Sequence, residues 1–140
     1  MPELALRITV LHPPRGVTFR VQRGKSELLE PDRNDDSAIA FKFTVRIAPR
    51  ERGKAPNFLG PFAQGTPSKR FVYVNSGTYA GQKNTPWSRR AKIPLTGISW
   101  SLIQKARHGI VETTIEGTGS DGGPVCATVR TEWSPADVLG

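Results

Sequence analysis

The sequence contains almost none of the residues from which disulfide frameworks and metal centres are built. Among 140 residues it has one cysteine, Cys126, and two histidines, His12 and His108. A single cysteine excludes an intrachain disulfide and cannot form a zinc site by itself, so packing must hold the fold together. The three residues are 96 and 18 positions apart, which matches no zinc-binding motif. We therefore expect no metal and no cofactor.

Long hydrophobic runs are also absent. No apolar run approaches the roughly 18 residues that a membrane span needs. The opening Met-Pro-Glu is not followed by the basic and apolar regions of a secretory signal. A chain of 140 residues is long enough for one domain with a real core and short for two. These features predict a single domain over residues 1–140 that is cytoplasmic and does not enter a membrane.

Acidic residues are scarce, and the scarcity is local. The chain has 20 Lys and Arg against 12 Asp and Glu, a net charge of +8. Residues 38–93 hold eleven of the basic residues and one acidic residue, Glu51, so this segment carries +10 while the rest of the chain sums to −2. The same segment holds eight of the eleven aromatic residues. Basic residues interleaved with aromatic ones are typical of sites for anionic ligands and nucleic acids.

Alternation of apolar and polar residues predicts most of the strands. Residues 4–11 and 17–21 alternate with a period of two, which indicates two half-buried strands, and we expect them to pair as a hairpin. Residues 39–47 alternate most clearly and should form a strand with one wet face. Residues 70–75 are apolar on both sides, which predicts a central strand or part of a closed barrel, followed by turn residues from position 76.

The remaining segments complete the fold prediction. Residues 57–67 are too rich in Gly and Pro for a central strand and predict a long ordered loop, whereas residues 89–95 alternate as a short strand. One short helix is expected near residues 97–107, with Thr96 or Ser99 as its cap. Two further strands, at 110–116 and 125–131, are expected to form a hairpin through the glycine-rich residues between them. The fold class is therefore mainly β: a small antiparallel β-sandwich or partly closed β-barrel of about seven strands.

The residues that could carry catalysis show no arrangement in sequence. Cys126 lies in an apolar run, which predicts a buried structural thiol, and neither histidine has an acidic neighbour in sequence to orient it. The titratable groups whose convergence in one cleft would indicate an enzyme are Tyr73, Tyr79, His108, Asp121 and Cys126.

The segment from residue 57 to residue 92 combines neutral hydrogen-bonding groups, cations and flat apolar side chains. A pocket for a small ligand needs this mixture. The alternative is that Phe58, Phe62 and Trp87 plug the end of the core while the polar residues satisfy loop backbone. The candidate ligand-binding residues are Asn57, Phe58, Phe62, Arg70, Tyr73, Asn75, Tyr79, Trp87, Arg89, Arg90 and Lys92.

Several sequence blocks in and beyond this segment resemble a known family. They read NFLGPF at 57–62, RFVYVNSG at 70–77, RRAKIPLTGI at 89–98, then GTG at 117–119, DGGP at 121–124 and CAT at 126–128. These blocks are similar to those of the bacterial family of uncharacterised proteins called domain of unknown function 5990. The resemblance implies a stand-alone bacterial cytosolic protein and implies no activity for any residue.

Three functions follow in order of preference. The sequence favours a non-enzymatic binding domain with a basic, aromatic-lined cleft for a small anionic or aromatic ligand. The alternative is a single-stranded nucleic-acid-binding β domain, in which Phe or Tyr side chains on a sheet face stack on bases while Lys and Arg follow the phosphates. An enzyme of unknown class is the third hypothesis. Homodimerisation is also expected if Trp100 and Trp133 lie on an exposed apolar patch.

Overall fold

A computed structural model describes residues 2–78, 89–106 and 109–137. Within these ranges the fold is mainly β, as predicted: two sheets stack as a sandwich, and they do not close into a barrel. No helix in the described part of the chain is both long and apolar enough to cross a membrane. The elements are β1 (Glu3–Leu11), β2 (Val17–Arg23), β3 (Glu27–Leu29), β4 (Arg33–Asn34), β5 (Ala38–Ile47), β6 (Phe58–Leu59), β7 (Phe71–Thr78), β8 (Arg89–Pro94), α1 (Trp100–Lys105), β9 (Ile110–Glu116), β10 (Ala127–Thr128) and β11 (Ser134–Ala136).

Each sheet has a long strand at its centre. In the first sheet the order is β11-β9-β1-β5-β4, with the short β6 also paired to β5. In the second sheet the order is β10-β8-β7-β2-β3. Most neighbouring strands are antiparallel, but β1 pairs in parallel with β9, and β8 pairs in parallel with β10. The predicted sandwich is therefore confirmed as one built from two mixed sheets.

The core lies between the two sheets and is filled by every second residue of their long strands. In β5, Phe41 and Phe43 are buried while Lys42 is exposed, so the wet face predicted for this strand is present. In β7 the inward residues are Val72 and Val74, which pack against strands on both sides. Because alternate side chains of a strand point to opposite faces, the sequence pattern determines the inward face of β5, whereas in β7, which is apolar on both faces, it does not.

The expected hairpin between the first two strands is wrong. β1 belongs to the first sheet, where it pairs with β5, whereas β2 belongs to the second sheet, where it pairs with β7. The connection between them contains Pro13 and Pro14, which have no backbone N–H to donate, and it includes backbone with positive φ at His12 and Gly16. The chain therefore crosses from one sheet to the other at this point.

The expected hairpin near the end of the chain is wrong for the same reason. β9 pairs with β1 and β11 in the first sheet, whereas the strand after the glycine-rich connection, β10, joins β8 in the second. Only Ala127 and Thr128 of residues 125–131 form a strand. Alternation in sequence reports which residues face the core, but it does not report which sheet a strand joins.

Two other expectations require correction. The strand predicted over residues 70–75 does not give way to turn residues at position 76, because β7 continues to Thr78. The helix is shorter than predicted, since it begins at Trp100, where the Ser99 hydroxyl accepts a hydrogen bond of 3.1 Å from the backbone of Leu102. Ser99 is therefore the cap.

The tryptophans expected on an exposed patch are instead packed against the core. The indole N–H of Trp100 donates to the carbonyl of Lys54 at 2.7 Å, and that of Trp133 donates to the carbonyl of Pro94 at 2.9 Å. Trp100 therefore connects α1 to the loop that contains Lys54, and Trp133 connects the segment before β11 to β8 of the other sheet. Homodimerisation stays a prediction, and the two tryptophans no longer provide an argument for it.

We predict that Phe41→Ala lowers the free energy of unfolding by about 3–5 kcal/mol, because it removes a fully buried ring and leaves a cavity. The neighbouring change Lys42→Ala removes an exposed side chain on the other face of the same strand and should alter stability by less than about 0.5 kcal/mol. Urea unfolding followed by circular dichroism measures both. Equal losses in the two variants would show that the core assignment of β5 is incorrect.

Candidate anion-binding site on the second sheet

The outer face of the second sheet carries the residues that sequence reasoning singled out around position 73. In the central strand β7, Phe71, Tyr73 and Asn75 alternate with the core valines and therefore face outward. In the neighbouring strand β8, Arg90 stands opposite Asn75 and Lys92 stands opposite Tyr73. The aromatic and basic residues of this segment thus come together on one face.

The two aromatic rings on this face hold the cations beside them. The rings of Phe71 and Tyr73 meet edge to face with their centroids 4.8 Å apart. The Lys92 ammonium lies 4.8 Å from the Phe71 centroid, and the Arg90 guanidinium carbon lies 4.2 Å from the Tyr73 centroid. Both distances are within the range of favourable cation–π attraction. The rings of Phe71 and Tyr73 therefore help to fix the positions of Lys92 and Arg90 on this face.

A network of amides fixes the guanidinium of Arg90. Its Nε donates to Oδ1 of Asn75 at 3.0 Å, and its Nη2 donates to Oε1 of Gln22 at 3.0 Å. Asn75 also donates to Gln22 at 3.2 Å. Asn75 is 3% exposed and Gln22 is 9% exposed, so water has little access to their side-chain oxygens. These oxygens therefore need hydrogen-bond donors from the protein. Arg90 supplies those donors while its own side chain stays exposed.

A cleft of about 280 Å³ opens where β7 begins and where β8 and β10 end. Three cations, Lys69, Arg70 and Lys92, are among its lining residues. Phe71 provides an apolar wall, and Thr96 is one of the two threonines that add hydroxyl groups. The full lining is Lys69, Arg70, Phe71, Lys92, Pro94, Thr96 and Thr128.

Arg70 is held in place at the edge of this cleft by the preceding loop. Its Nε donates to Oδ1 of Asn57 at 3.3 Å, and its Nη1 donates to the carbonyl of Gly65. Gly65 has a φ of +86°, and a Cβ there would lie 2.7 Å from both the Lys69 carbonyl oxygen and the Phe71 ring. The backbone at Gly65 therefore requires glycine to bring its carbonyl to Arg70.

No carboxylate balances these cations in the part of the chain that the structure describes. The ion pairs of the described residues use other basic groups, for example Arg7 with Glu112 and Arg23 with Glu27. Lys69, Arg70, Arg90 and Lys92 form none within 4 Å. Positive charge without a nearby counter-charge attracts anions and disfavours cations.

The structure separates the other candidate ligand-binding residues from this cleft. Phe58 and Phe62 are buried in the core, and the Phe62 ring lies 4.7 Å from that of Phe43. These two residues therefore fit the alternative of an end plug. Arg89 leaves β8 on the other side and pairs with Asp121 through two hydrogen bonds of 3.0 and 2.6 Å. Two further candidates, Tyr79 and Trp87, lie outside the described residues.

The groups that would indicate an enzyme do not all lie in one place. Tyr73 is on the outer face of the second sheet, whereas Asp121 lies in the connection after β9, where it pairs with Arg89. Cys126 is exposed, so the expectation of a buried structural thiol is wrong. It sits beside Arg89, at a point where the chain has left the core to reach the edge strand β10. His108 is outside the described residues.

His12 gains in the fold the acidic partner that it lacks in sequence. Its Nδ1 lies 3.0 Å from Oε2 of Glu116, because β1 and β9 pair in parallel with Leu11 opposite Glu116. This hydrogen bond is the main cause that lowers the pKa of Glu116. The His12 side chain is 73% exposed, so we assign the pair to the surface rather than to a cleft.

Several members of the face are not among the residues predicted from the sequence. Phe71 and Lys69 lie in the segment that the charge excess identified. The sequence did not show whether Phe71 or Val72 faces the core, and the structure of β7 shows that Val72 does. Gln22 and Thr128 come from strands far away in sequence. The signal available for Phe71 was the alternation of residues 71–75 itself, whereas Thr128 depends on the parallel pairing of two strands.

Two larger clefts exist in the described ranges, and neither has the same character. A cleft of about 530 Å³ is lined largely by Ala and Pro and by the ion pair of Glu51 with Lys54 at 2.9 Å. A cleft of about 420 Å³ includes both Arg15 and the acidic residues Asp35 and Asp36. Charge in both is compensated locally. Among the described residues, no group of three or more His, Cys, Asp or Glu could hold a metal ion.

These observations define a β-sandwich with a basic cleft on the outer face of one sheet. The chain belongs to the Family of unknown function (DUF5990), whose model matches residues 4–136. The resemblance seen in the sequence blocks is therefore confirmed. No curated protein and no solved structure matches the chain.

We predict a pH dependence for the pair of Asp121 with Arg89. Hydrogen bonds from Arg89 and from the backbone of Gly123 lower the pKa of Asp121 from 3.8 to about 2. The stabilisation that Asp121 contributes is therefore complete above about pH 4 and is lost as the pH falls towards 2. The wild type should therefore have a higher Tm than Asp121→Asn above about pH 4, and this difference in Tm should decrease as the pH is lowered towards 2.

The matched control is Asp36→Asn, which removes an exposed carboxylate that makes no hydrogen bond or ion pair to another described residue. Its Tm difference from the wild type should stay close to zero across the same pH range. A difference for Asp121→Asn that is independent of pH would mean that the pair with Arg89 does not form.

Proposed function

We propose that the chain is a binding protein for a compact anionic ligand, which it holds in the cleft of Lys69, Arg70 and Lys92. The observation that carries this proposal is the convergence of three cations on one cleft that contains no carboxylate. Arg and Lys side chains have donors and no acceptor, so they can bind an anion but cannot remove a proton as a general base in their charged form. Their presence favours binding over acid–base catalysis.

The size and lining of the cleft support a small ligand. A volume of about 280 Å³ is small for a small-molecule site, so the cleft can hold one sugar phosphate or a small carboxylate and has no room inside it for a second nucleotide. Two threonine hydroxyls can donate to phosphate or carboxylate oxygens, and Phe71 offers an apolar wall to the body of the ligand. The group held in the cleft is therefore a small phosphorylated or carboxylated one.

The fixed position of Arg70 favours affinity. Two hydrogen bonds from its guanidinium, to Asn57 and Gly65, already restrict the side chain before any ligand arrives. Ordering a long side chain on binding costs roughly 0.5–1.5 kcal/mol, and a side chain that is ordered beforehand avoids much of that cost. The planar guanidinium retains donors that suit two oxygens of one anionic group.

Binding can be tested with inorganic phosphate, ribose 5-phosphate and benzoate as probes, by calorimetry and by thermal shift. A probe that binds should raise the free energy of unfolding by about 2.7 kcal/mol when its concentration is 100 times its Kd. Arg70→Gln and Lys92→Gln should each weaken binding about tenfold or more, because a hydrogen bond between charged groups contributes about 1.5–3 kcal/mol.

The matched controls are Arg46→Gln and Lys42→Gln, which remove the same charges from the exposed face of β5 in the other sheet. They should leave the affinity for the probe unchanged. The proposal fails if none of the probes binds, or if the control variants lose as much affinity as the cleft variants, since attraction would then follow net charge alone.

A further inference from the structure

The positive charge on the outer face extends beyond the cleft. Arg20 of β2 stands opposite Asn75, and Asn75 stands opposite Arg90, so the three residues form one row across three strands. Lys92 is two residues further along β8. We call the following five residues the cationic track: Arg20, Arg90, Lys92, Arg70 and Lys69.

The track is much longer than a compact anion. Neighbouring strands are about 4.8 Å apart, so the backbones of Arg20 and Arg90 are separated by about 10 Å across β7. Residues two apart in a strand are separated by about 6.6 Å, which is the backbone distance from Arg90 to Lys92. A ligand that contacts both the cleft and Arg20 must therefore be an extended chain with several anionic groups.

The track is uncompensated along its whole length. Arg20 is half-buried and donates to the carbonyl of Phe19 at 2.7 Å, but in the described residues no carboxylate lies within 4 Å of it. The guanidinium of Arg90 is engaged by two amides and one ring, none of which neutralises its charge. Each of these cations can therefore attract a separate phosphate.

One member of the track also presents a flat surface. The guanidinium of Arg90 is packed over the Tyr73 ring, and its side chain is exposed. In complexes with single-stranded nucleic acids, unpaired bases stack on guanidinium planes as well as on aromatic rings. A polyphosphate has no such group to place there, and the bases of a duplex are stacked within the helix.

We propose that the cationic track binds a single-stranded nucleic acid. A phosphate occupies the cleft of Lys69, Arg70 and Lys92, the chain continues over β8 and β7 to Arg20, and a base stacks on Arg90. This inference rests on the proposed function, because the cleft is the anion site at one end of the track. It adds that the ligand is a polymer and that Arg20 and Arg90, outside the cleft, contact it.

The test uses a fluorescein-labelled oligothymidylate of about 12 nucleotides, a length within the range that single-strand sites cover. Fluorescence anisotropy at salt concentrations between about 50 and 200 mM gives the salt dependence of the affinity. Release of counterions from three contacted phosphates, one at the cleft, one at Arg90 and one at Arg20, predicts a log–log slope of about −2, and loss of one contact reduces its magnitude by about 0.7. Arg20→Gln should show that reduction, and Arg46→Gln should not.

Arg90 needs a different variant, since its removal leaves Oδ1 of the buried Asn75 without its donor and Oε1 of Gln22 with the donor from Asn75 alone. Arg90→Lys keeps the charge but loses the planar surface, so it should weaken binding to the oligonucleotide while the salt slope stays close to that of the wild type. Circular dichroism and thermal midpoints verify that each variant is folded. If Arg90→Lys does not fold, the salt dependence of Arg20→Gln still tests the proposal.

The two proposals fail in different ways. If phosphate binds through Arg70 but the oligonucleotide does not bind, or binds equally well to Arg20→Gln, the track is wrong and the small-ligand cleft stands. If the oligonucleotide binds through Arg20 while no small probe binds, the compact ligand is wrong. Displacement of the oligonucleotide by polyphosphate at equal charge concentration, as efficient as by unlabelled oligonucleotide, would overturn the assignment to nucleic acid.

Discussion

The period of two in β7 is the constraint on which both the core and the candidate site depend. This strand is central in its sheet, between β8 and β2, and its two faces have different surroundings. One face places Val72 and Val74 in the core, and the other places Phe71 and Tyr73 under the cations of β8. A shift of one residue in its pairing would exchange these faces and would destroy the core and the site together.

The polar network around Arg90 shows how the site is built into the stability of the sheet. Gln22 and Asn75 are almost fully buried amides, and such groups are costly unless they are hydrogen-bonded. Arg90 donates to both, and Gln22 donates in turn to the carbonyl of Gly24 at 2.9 Å. The orientation of this guanidinium is therefore a consequence of folding, and a ligand would meet it already ordered.

Sequence patterns predicted the strands and the region of the site better than they predicted the sheets. Alternation located the faces of β5, the doubly apolar pattern located β7 without assigning its faces, and the local charge excess located the segment in which the cleft occurs. Both are local properties of the chain. Strand pairing is not local, which is why two expected hairpins are absent and why Thr128 enters the cleft from β10. The fate of Arg89 follows from the same distinction, since one residue of displacement along β8 turns it away from Arg90 and towards Asp121.

The arrangement of charge within this one chain is the strongest physical argument that the track has a role other than stability. Like charges held close together destabilise a compact state, and opposite charges in register across strands relieve that cost. The fold uses such relief elsewhere: Arg7 of β1 stands opposite Glu112 of β9, and Arg23 of β2 stands opposite Glu27 of β3.

Arg20, on the same strand β2, stands opposite the amide residue Asn75 of β7 instead of a carboxylate. On the other side of Asn75, in β8, stands a second arginine, Arg90. A carboxylate at position 75 would have placed a negative charge against Arg90 at little steric change, since Asp and Asn have the same shape. The neutral amide orients Arg90 without neutralising it. Folding needs the donors of Arg90, which the buried amides accept, but it does not need the net positive charge of the track, and fixed positive charge is what an anion-binding surface requires.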